Sequence, residues 1–142
     1  YAFNFFKSSF NISSFENLKV LILGVSYRSE VGDTRFSPVE KFYNCLVNEK
    51  AIIELHDPYV KYWEETKNNV NSSISNALKF NPDIIAFCTS HEQYKNSKII
   101  ANYLKSKTNL FLFDSVGVLS DEEIINFKIK HTVCVLGRGD IN

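Results

Sequence analysis

The chain has 142 residues, enough for one domain with a real hydrophobic core and no need of metals or disulfides. Hydrophobic residues make up 44% and charged residues 23%, the composition of an ordinary globular domain. Lys plus Arg and Asp plus Glu both number 16, so the formal net charge is zero. This excludes a general electrostatic attraction to nucleic acid or to an anionic membrane, so any anion site must be local.

No apolar run approaches the ~20 residues that span a bilayer. The Phe-rich start, Tyr1 to Phe15, lacks the basic-then-apolar pattern of a signal peptide, and a cytoplasmic location is expected. Cys45, Cys88 and Cys134 are too widely spaced for a zinc site and odd in number for a disulfide framework. They read as shielded, inert thiols in a reducing compartment.

Lys19 to Val25 (KVLILGV) is a continuous apolar run ending at a glycine, the pattern of a strand buried on both faces. Ser37-Pro38-Val39-Glu40 then reads as a capping box with proline at the first helical position. Val39, Phe42, Tyr43, Leu46 and Val47 form one helical stripe behind it. Ala51 to Leu55 is a second strand, closed by His56-Asp57-Pro58. Trp63 to Ser75 is polar and aperiodic and reads as loop or frayed helix, with a short helix over Ile74 to Phe80.

Ile84 to Cys88 is a third buried strand. Ser90 and Gln93 are spaced as a capping box opening a helix over Tyr94 to Leu104. Leu110 to Phe113 and Thr132 to Leu136 complete the strands, with a short helical turn from Ser120 between them. Alternating strands and helices predict an α/β, Rossmann-like three-layer domain with a mainly parallel sheet of about five strands. Residues 1–17 are expected to be an N-terminal extension or the end of a linker, and residues 18–142 the folded domain. Ligands of such folds sit at the C-terminal edge of the sheet, which directs attention to Gly24 to Pro38, His56 to Val60, Thr89 to His91 and Asp114 to Leu119.

A dinucleotide fingerprint does not follow the first strand, because Ser26 and Ser29 stand where glycines are required. Asp57 ends the second strand, where a ribose-binding acid belongs, but with Pro58 behind it the residue looks more like a turn former. His56, His91 and His131 are scattered and read as cap or loop residues. The segment Tyr27 to Pro38 (YRSEVGDTRFSP) is richer. It places Arg28 and Arg35 before a helix N-terminus, a combination suited to phosphate, with Tyr27 offering a flat ring and a hydroxyl. On physical grounds an equal reading is that Arg28 and Arg35 pair with Glu30 and Asp33 at the surface.

Gly24-Val25-Ser26-Tyr27-Arg28 and Gly32-Asp33-Thr34-Arg35-Phe36-Ser37-Pro38 together resemble the start of the C-terminal domain of the UDP-glucose/GDP-mannose dehydrogenase family. Three further segments resemble that family in the same order: His56-Asp57-Pro58-Tyr59-Val60, Thr89-Ser90-His91, and Phe113-Asp114 through Gly117-Val118-Leu119. Leu136-Gly137-Arg138-Gly139 resembles its closing segment. The resemblance implies a domain that holds the UDP part of a UDP-sugar through Tyr27, Arg28 and Arg35. It implies that NAD and the catalytic cysteine belong to an N-terminal NAD-binding domain and a central dimerisation region of the same polypeptide. No cofactor and no metal is then expected on this chain.

Three departures stand out. Arg28 replaces a lysine, and Phe36 replaces a glutamate, with Glu40 expected to complete the cap in its place. Ser115-Val116-Gly117 lacks an arginine that several members carry. The alternative to a dehydrogenase domain is a stand-alone nucleotide-binding or interaction module, and the reading frame ahead of Tyr1 separates the two. The purified chain is expected to form no NADH with any UDP-sugar. NADH formation abolished by Cys88→Ser would contradict this.

Overall fold

The computed structural model describes residues 2–142; Tyr1, the first residue of the predicted extension, lies outside the described residues. The strands are β1 (Lys19–Leu23), β2 (Ile52–His56), β5 (Ile84–Phe87), β6 (Phe111–Asp114) and β7 (Thr132–Val135), plus a small pair, β3 (Tyr62–Trp63) and β4 (Asn68–Asn69). The helices are α1 (Ala2–Ser9), α2 (Val39–Asn48), α3 (Ile74–Leu78), α4 (Lys98–Lys105) and α5 (Asp121–Phe127). The main sheet has five strands in the order β2-β1-β5-β6-β7, and every pairing in it is parallel. This is the predicted α/β, Rossmann-like architecture.

Because strand side chains alternate between faces, each buried strand feeds two cores. Val20, Ile22, Ile84, Ala86, Phe113 and Cys134 lie on one face with Val39, Phe42 and Leu46 of α2. Leu21, Leu23, Ile85, Phe87, Leu112, Val133 and Val135 lie on the other, with Ile74 of α3, Ile100 and Leu104 of α4 and Ile124 and Phe127 of α5. The order of the strands reverses direction between β1 and β5, the point at which loops diverge and leave a crevice.

The Phe-rich N-terminus is part of this core. Phe6 and Phe15 are fully buried and Phe10 nearly so. The Phe6 ring lies 4.9 Å from Phe113, 5.3 Å from Phe15 and 5.4 Å from Phe42, so α1 wedges aromatic rings between α2 and the sheet. Lys7 adds an ion pair to Glu49 at 3.0 Å.

Several local expectations are corrected. Ser37 does not form a capping box: its Oγ accepts from Val39 N at 3.3 Å and lies 3.5 Å from Ser26 O, and the Glu40 side chain does not return to it. Ser90 and Gln93 do not open a long helix either. A short 3₁₀ turn covers Glu92–Tyr94, Asn96 takes a positive φ of 50°, and Ser97 caps α4 instead. The complete capping box is at Ser120 and Glu123. Trp63 to Ser75 is no frayed helix but contains the β3–β4 hairpin, with Trp63 fully buried and its ring 5.4 Å from Tyr43 of α2. Among the thiols, Cys88 and Cys134 are buried as expected, whereas Cys45 is partly exposed. Burial pushes the Cys88 thiol up to about 12. No helix among the described residues is long and apolar enough to cross a membrane.

His56 ends β2 inside the protein, with Nδ1 2.8 Å from the Tyr94 hydroxyl, which also lies 3.2 Å from His56 O. Burial lowers its pKa to about 4.

Two tests follow from this packing. Phe6→Ala opens a cavity among five rings and is expected to cost about 3–5 kcal/mol in urea unfolding; an unchanged midpoint would show α1 to be merely appended. His56 binds its proton more readily unfolded than folded, so its contribution is present above about pH 6.5 and is lost as pH falls towards 4. Urea midpoints should therefore fall more steeply between pH 6.5 and 4 for the wild type than for His56→Gln. Parallel curves would place the imidazole in contact with water.

Candidate functional site

The crevice between β1 and β5 is built by loops that the backbone forces close together. Gly24 ends β1 with φ +98°, and a Cβ there would lie 2.4 Å from Thr89 Cβ and 2.7 Å from Thr89 N. Only glycine allows the β1 loop to leave against the end of β5 at this distance. Thr89 Oγ1 then donates to Ser26 O at 3.1 Å.

Asp57 is fully buried at the end of β2, and its carboxylate is turned inward. Oδ2 accepts from Val25 N at 2.9 Å, Ser26 N at 3.2 Å, Ser26 Oγ at 2.8 Å and His91 Nε2 at 3.0 Å. Oδ1 accepts from Tyr59 N at 2.8 Å. Burial alone raises such a carboxyl, but the bonds from His91, Tyr59 and Val25 outweigh it and hold Asp57 below its ordinary value. The amides just after the first strand are the ones that cradle a pyrophosphate in dinucleotide-binding folds. Here the protein's own carboxylate takes them.

His91 is also fully buried. Glu30 N donates to its Nδ1 at 2.9 Å, so the ring proton sits on Nε2, where it faces Asp57. The rings of Tyr59 and Tyr94 lie 5.1 and 5.7 Å away. Asp114, at the end of β6, is likewise turned on its own loop, accepting from Val116, Gly117 and Leu119 amides. His131 lies away from these loops and joins Leu110 N to Leu104 O.

The three predicted ligand residues lie on the β1 loop. Tyr27 is half exposed, and its N–H closes the loop onto Asp33 O at 2.6 Å. Tyr27, Asp33, Arg35 and Phe36 line a depression of about 350 Å³. Arg35 is held by Asp33 in a forked pair, Nε to Oδ1 at 3.1 Å and one terminal nitrogen to Oδ2 at 2.9 Å. The Arg35 hydrogen bonds lower the Asp33 carboxyl to about 2. Arg28 is exposed and makes no hydrogen bond or ion pair among the described residues. The surface reading is therefore met at Arg35 by an ion pair, whereas Arg28 acts on Asp33 through its charge alone. Glu30, the expected partner of Arg28, instead accepts from Glu92 N at 3.3 Å, and its carboxylate raises the Tyr59 hydroxyl. Phe36 is the most exposed large apolar side chain, at 91%, and holds a left-handed φ of 59°.

The Asp57–His91 contact was not read from the sequence. Both residues stand in segments singled out there, but 34 positions separate them, and each alone resembles a turn or cap residue.

The chain was compared with known proteins. The model of the UDP-glucose/GDP-mannose dehydrogenase family, UDP binding domain, matches residues 21–121. The UDP-N-acetyl-D-mannosamine dehydrogenase of Methanocaldococcus jannaschii is 33% identical over 125 residues, 85% of this chain and 27% of that protein. The protein of the same name from Methanococcus aeolicus is 30% identical over 80% of this chain and 26% of its own length. The chain thus spans under a third of the curated relatives it matches. Among solved structures, an NDP-N-acetyl-D-galactosaminuronic acid dehydrogenase from Methanosarcina mazei superimposes with a TM-score of 0.81 at 21% identity, over 96% of this chain and 28% of that one. At that identity the likeness speaks for the fold. The family match and the relatives' identity show that the chain belongs to the UDP-glucose/GDP-mannose dehydrogenase family, as its UDP-binding domain.

Proposed function

We propose that this chain holds the UDP part of a UDP-hexose or UDP-N-acetylhexosamine for an NAD-dependent 6-dehydrogenase that forms the hexuronate. The observation that carries this reading is Arg28. It is an exposed cation with no hydrogen bond or ion pair among the described residues, its charge felt only weakly by Asp33, on a loop at the crevice between β1 and β5. A guanidinium so placed is suited to a diphosphate, which it meets with paired N–H donors. Tyr27 adds a ring and a hydroxyl at the adjoining depression, and Arg35 reaches the same depression with its charge shared by Asp33. The names of the relatives, UDP-N-acetyl-D-mannosamine dehydrogenases, favour an N-acetylated sugar.

In this reading NAD and the reactive thiol belong to other parts of a longer polypeptide, which also supply the dimer contact. Asp57 supports this assignment by taking the turn amides that a dinucleotide needs. Cys88 supports it too, because a thiol held near 12 carries almost no thiolate at neutral pH. The free cysteines fit a cytoplasmic setting.

The test is calorimetry with UDP. Arg28→Ala is expected to weaken binding roughly ten- to a hundred-fold, the effect of losing one charge-assisted contact, with the melting temperature almost unchanged. Arg28→Lys should keep most of the affinity. Equal affinity in wild type and Arg28→Ala would place Arg28 on an ordinary solvated surface.

A further inference from the structure

We propose that His91 is the positioning residue of the nucleotide site: it bridges the ends of β2 and β5 to the β1 loop and so sets where Arg28 points. This rests on the reading of Arg28 as a diphosphate ligand.

The β1 loop runs from Gly24 to Pro38 without regular structure, and both Glu30 and Phe36 take positive φ within it. Such a segment holds one shape only if its neighbours over-determine it. The backbone is clamped on both sides of Arg28. Ahead of it, Val25 and Ser26 amides bind Asp57, and Tyr27 N binds Asp33 O. Behind it, Ser29 Oγ donates to Ser90 O at 2.7 Å and Glu30 N donates to His91 Nδ1 at 2.9 Å. The Arg28 side chain itself makes no hydrogen bond among the described residues.

The His91 ring touches both clamps, and Tyr59 braces the same points from outside, its amide on Asp57 and its hydroxyl on Glu30. His91 Nε2 meets the carboxylate that holds Val25 and Ser26, and its Nδ1 meets the amide that follows Ser29. A rigid ring with one donor and one acceptor fixes the distance between these two points. A ligand cation held in place before binding loses less freedom on binding, and a misplacement of about 1 Å is enough to be felt.

The two nitrogens can be separated by substitution. In His91→Gln the amide nitrogen takes the place of Nε2, keeping the bond to Asp57 and losing the acceptor for Glu30. In His91→Asn the amide oxygen takes the place of Nδ1, keeping the bond to Glu30 and losing the donor to Asp57. A purely structural histidine would make both variants less stable and treat UDP alike. The positioning role ranks them: His91→Gln is expected to weaken UDP binding about ten-fold and His91→Asn by less than about three-fold, even where both melt earlier.

The experiment is UDP calorimetry on the 142-residue chain, paired with amide exchange at Ser29 and Glu30 without nucleotide. Faster exchange at Glu30 in His91→Gln alone, with the matching loss of affinity, is the expected result. Equal affinities, equal exchange or the reverse order would overturn the proposal. If the wild type fails to bind UDP, the Arg28 reading falls, and exchange still decides whether His91 orders the loop. Should both variants fail to fold, Ser29→Ala removes only the outer tie to Ser90. It should weaken UDP binding several-fold at unchanged stability, and unchanged affinity would overturn the proposal.

Discussion

A buried carboxylate is costly unless its oxygens are satisfied, and Asp57 is satisfied by groups from three different strand ends. Val25 and Ser26 come from the end of β1, Tyr59 from the end of β2, and His91 from the end of β5. None of these segments is held in place by the sheet ladder itself. Removing the carboxylate leaves five buried or half-buried donors without an acceptor, so the crevice and the loop that carries Arg28 depend on it. The same carboxylate places an internal anion on the amides that follow β1.

The layers behind the site explain why the loops converge there. Alternating strand residues feed two apolar cores, and the parallel order places the ends of β1 and β5 side by side. Gly24 lets those ends touch. The aromatic wedge from α1 supports the opposite half of the sheet: Phe6 and Phe10 reach Phe113 and Phe111 of β6. The domain thus offers a rigid floor with one irregular loop above it, a usual arrangement for a binding surface.

The sheet was legible because its strands are buried on both faces and read as unbroken apolar runs between turn residues. Local capping was less so. Ser37, Ser90 and Ser120 each stand three residues before Glu or Gln, yet only Ser120 closes a box. At Ser37 the hydroxyl lies towards the β1 loop, and at Ser90 the demand of His91 for Asp57 replaces the helix start with a tight turn. The hairpin around Trp63 was missed because strands of two residues carry no period, and tertiary burial of the indole holds them. At the site, Tyr27, Arg28 and Arg35 were found from residue type. Their differing states, one cation in a forked ion pair and one without a hydrogen bond, depend on the fold of a loop with two left-handed residues. The Asp57–His91 contact is a long-range pairing, visible only once β2 and β5 are placed on either side of β1.

The most direct test of this account is a nucleotide titration of the isotope-labelled 142-residue chain followed by amide chemical shifts. UDP should move the amides of Tyr27 to Phe36 and their neighbours in Ser90 to Glu92, while NAD leaves Val25 and Ser26 in place. Saturable shifts at Val25 and Ser26 with NAD, or no response of the β1 loop to UDP, would contradict it.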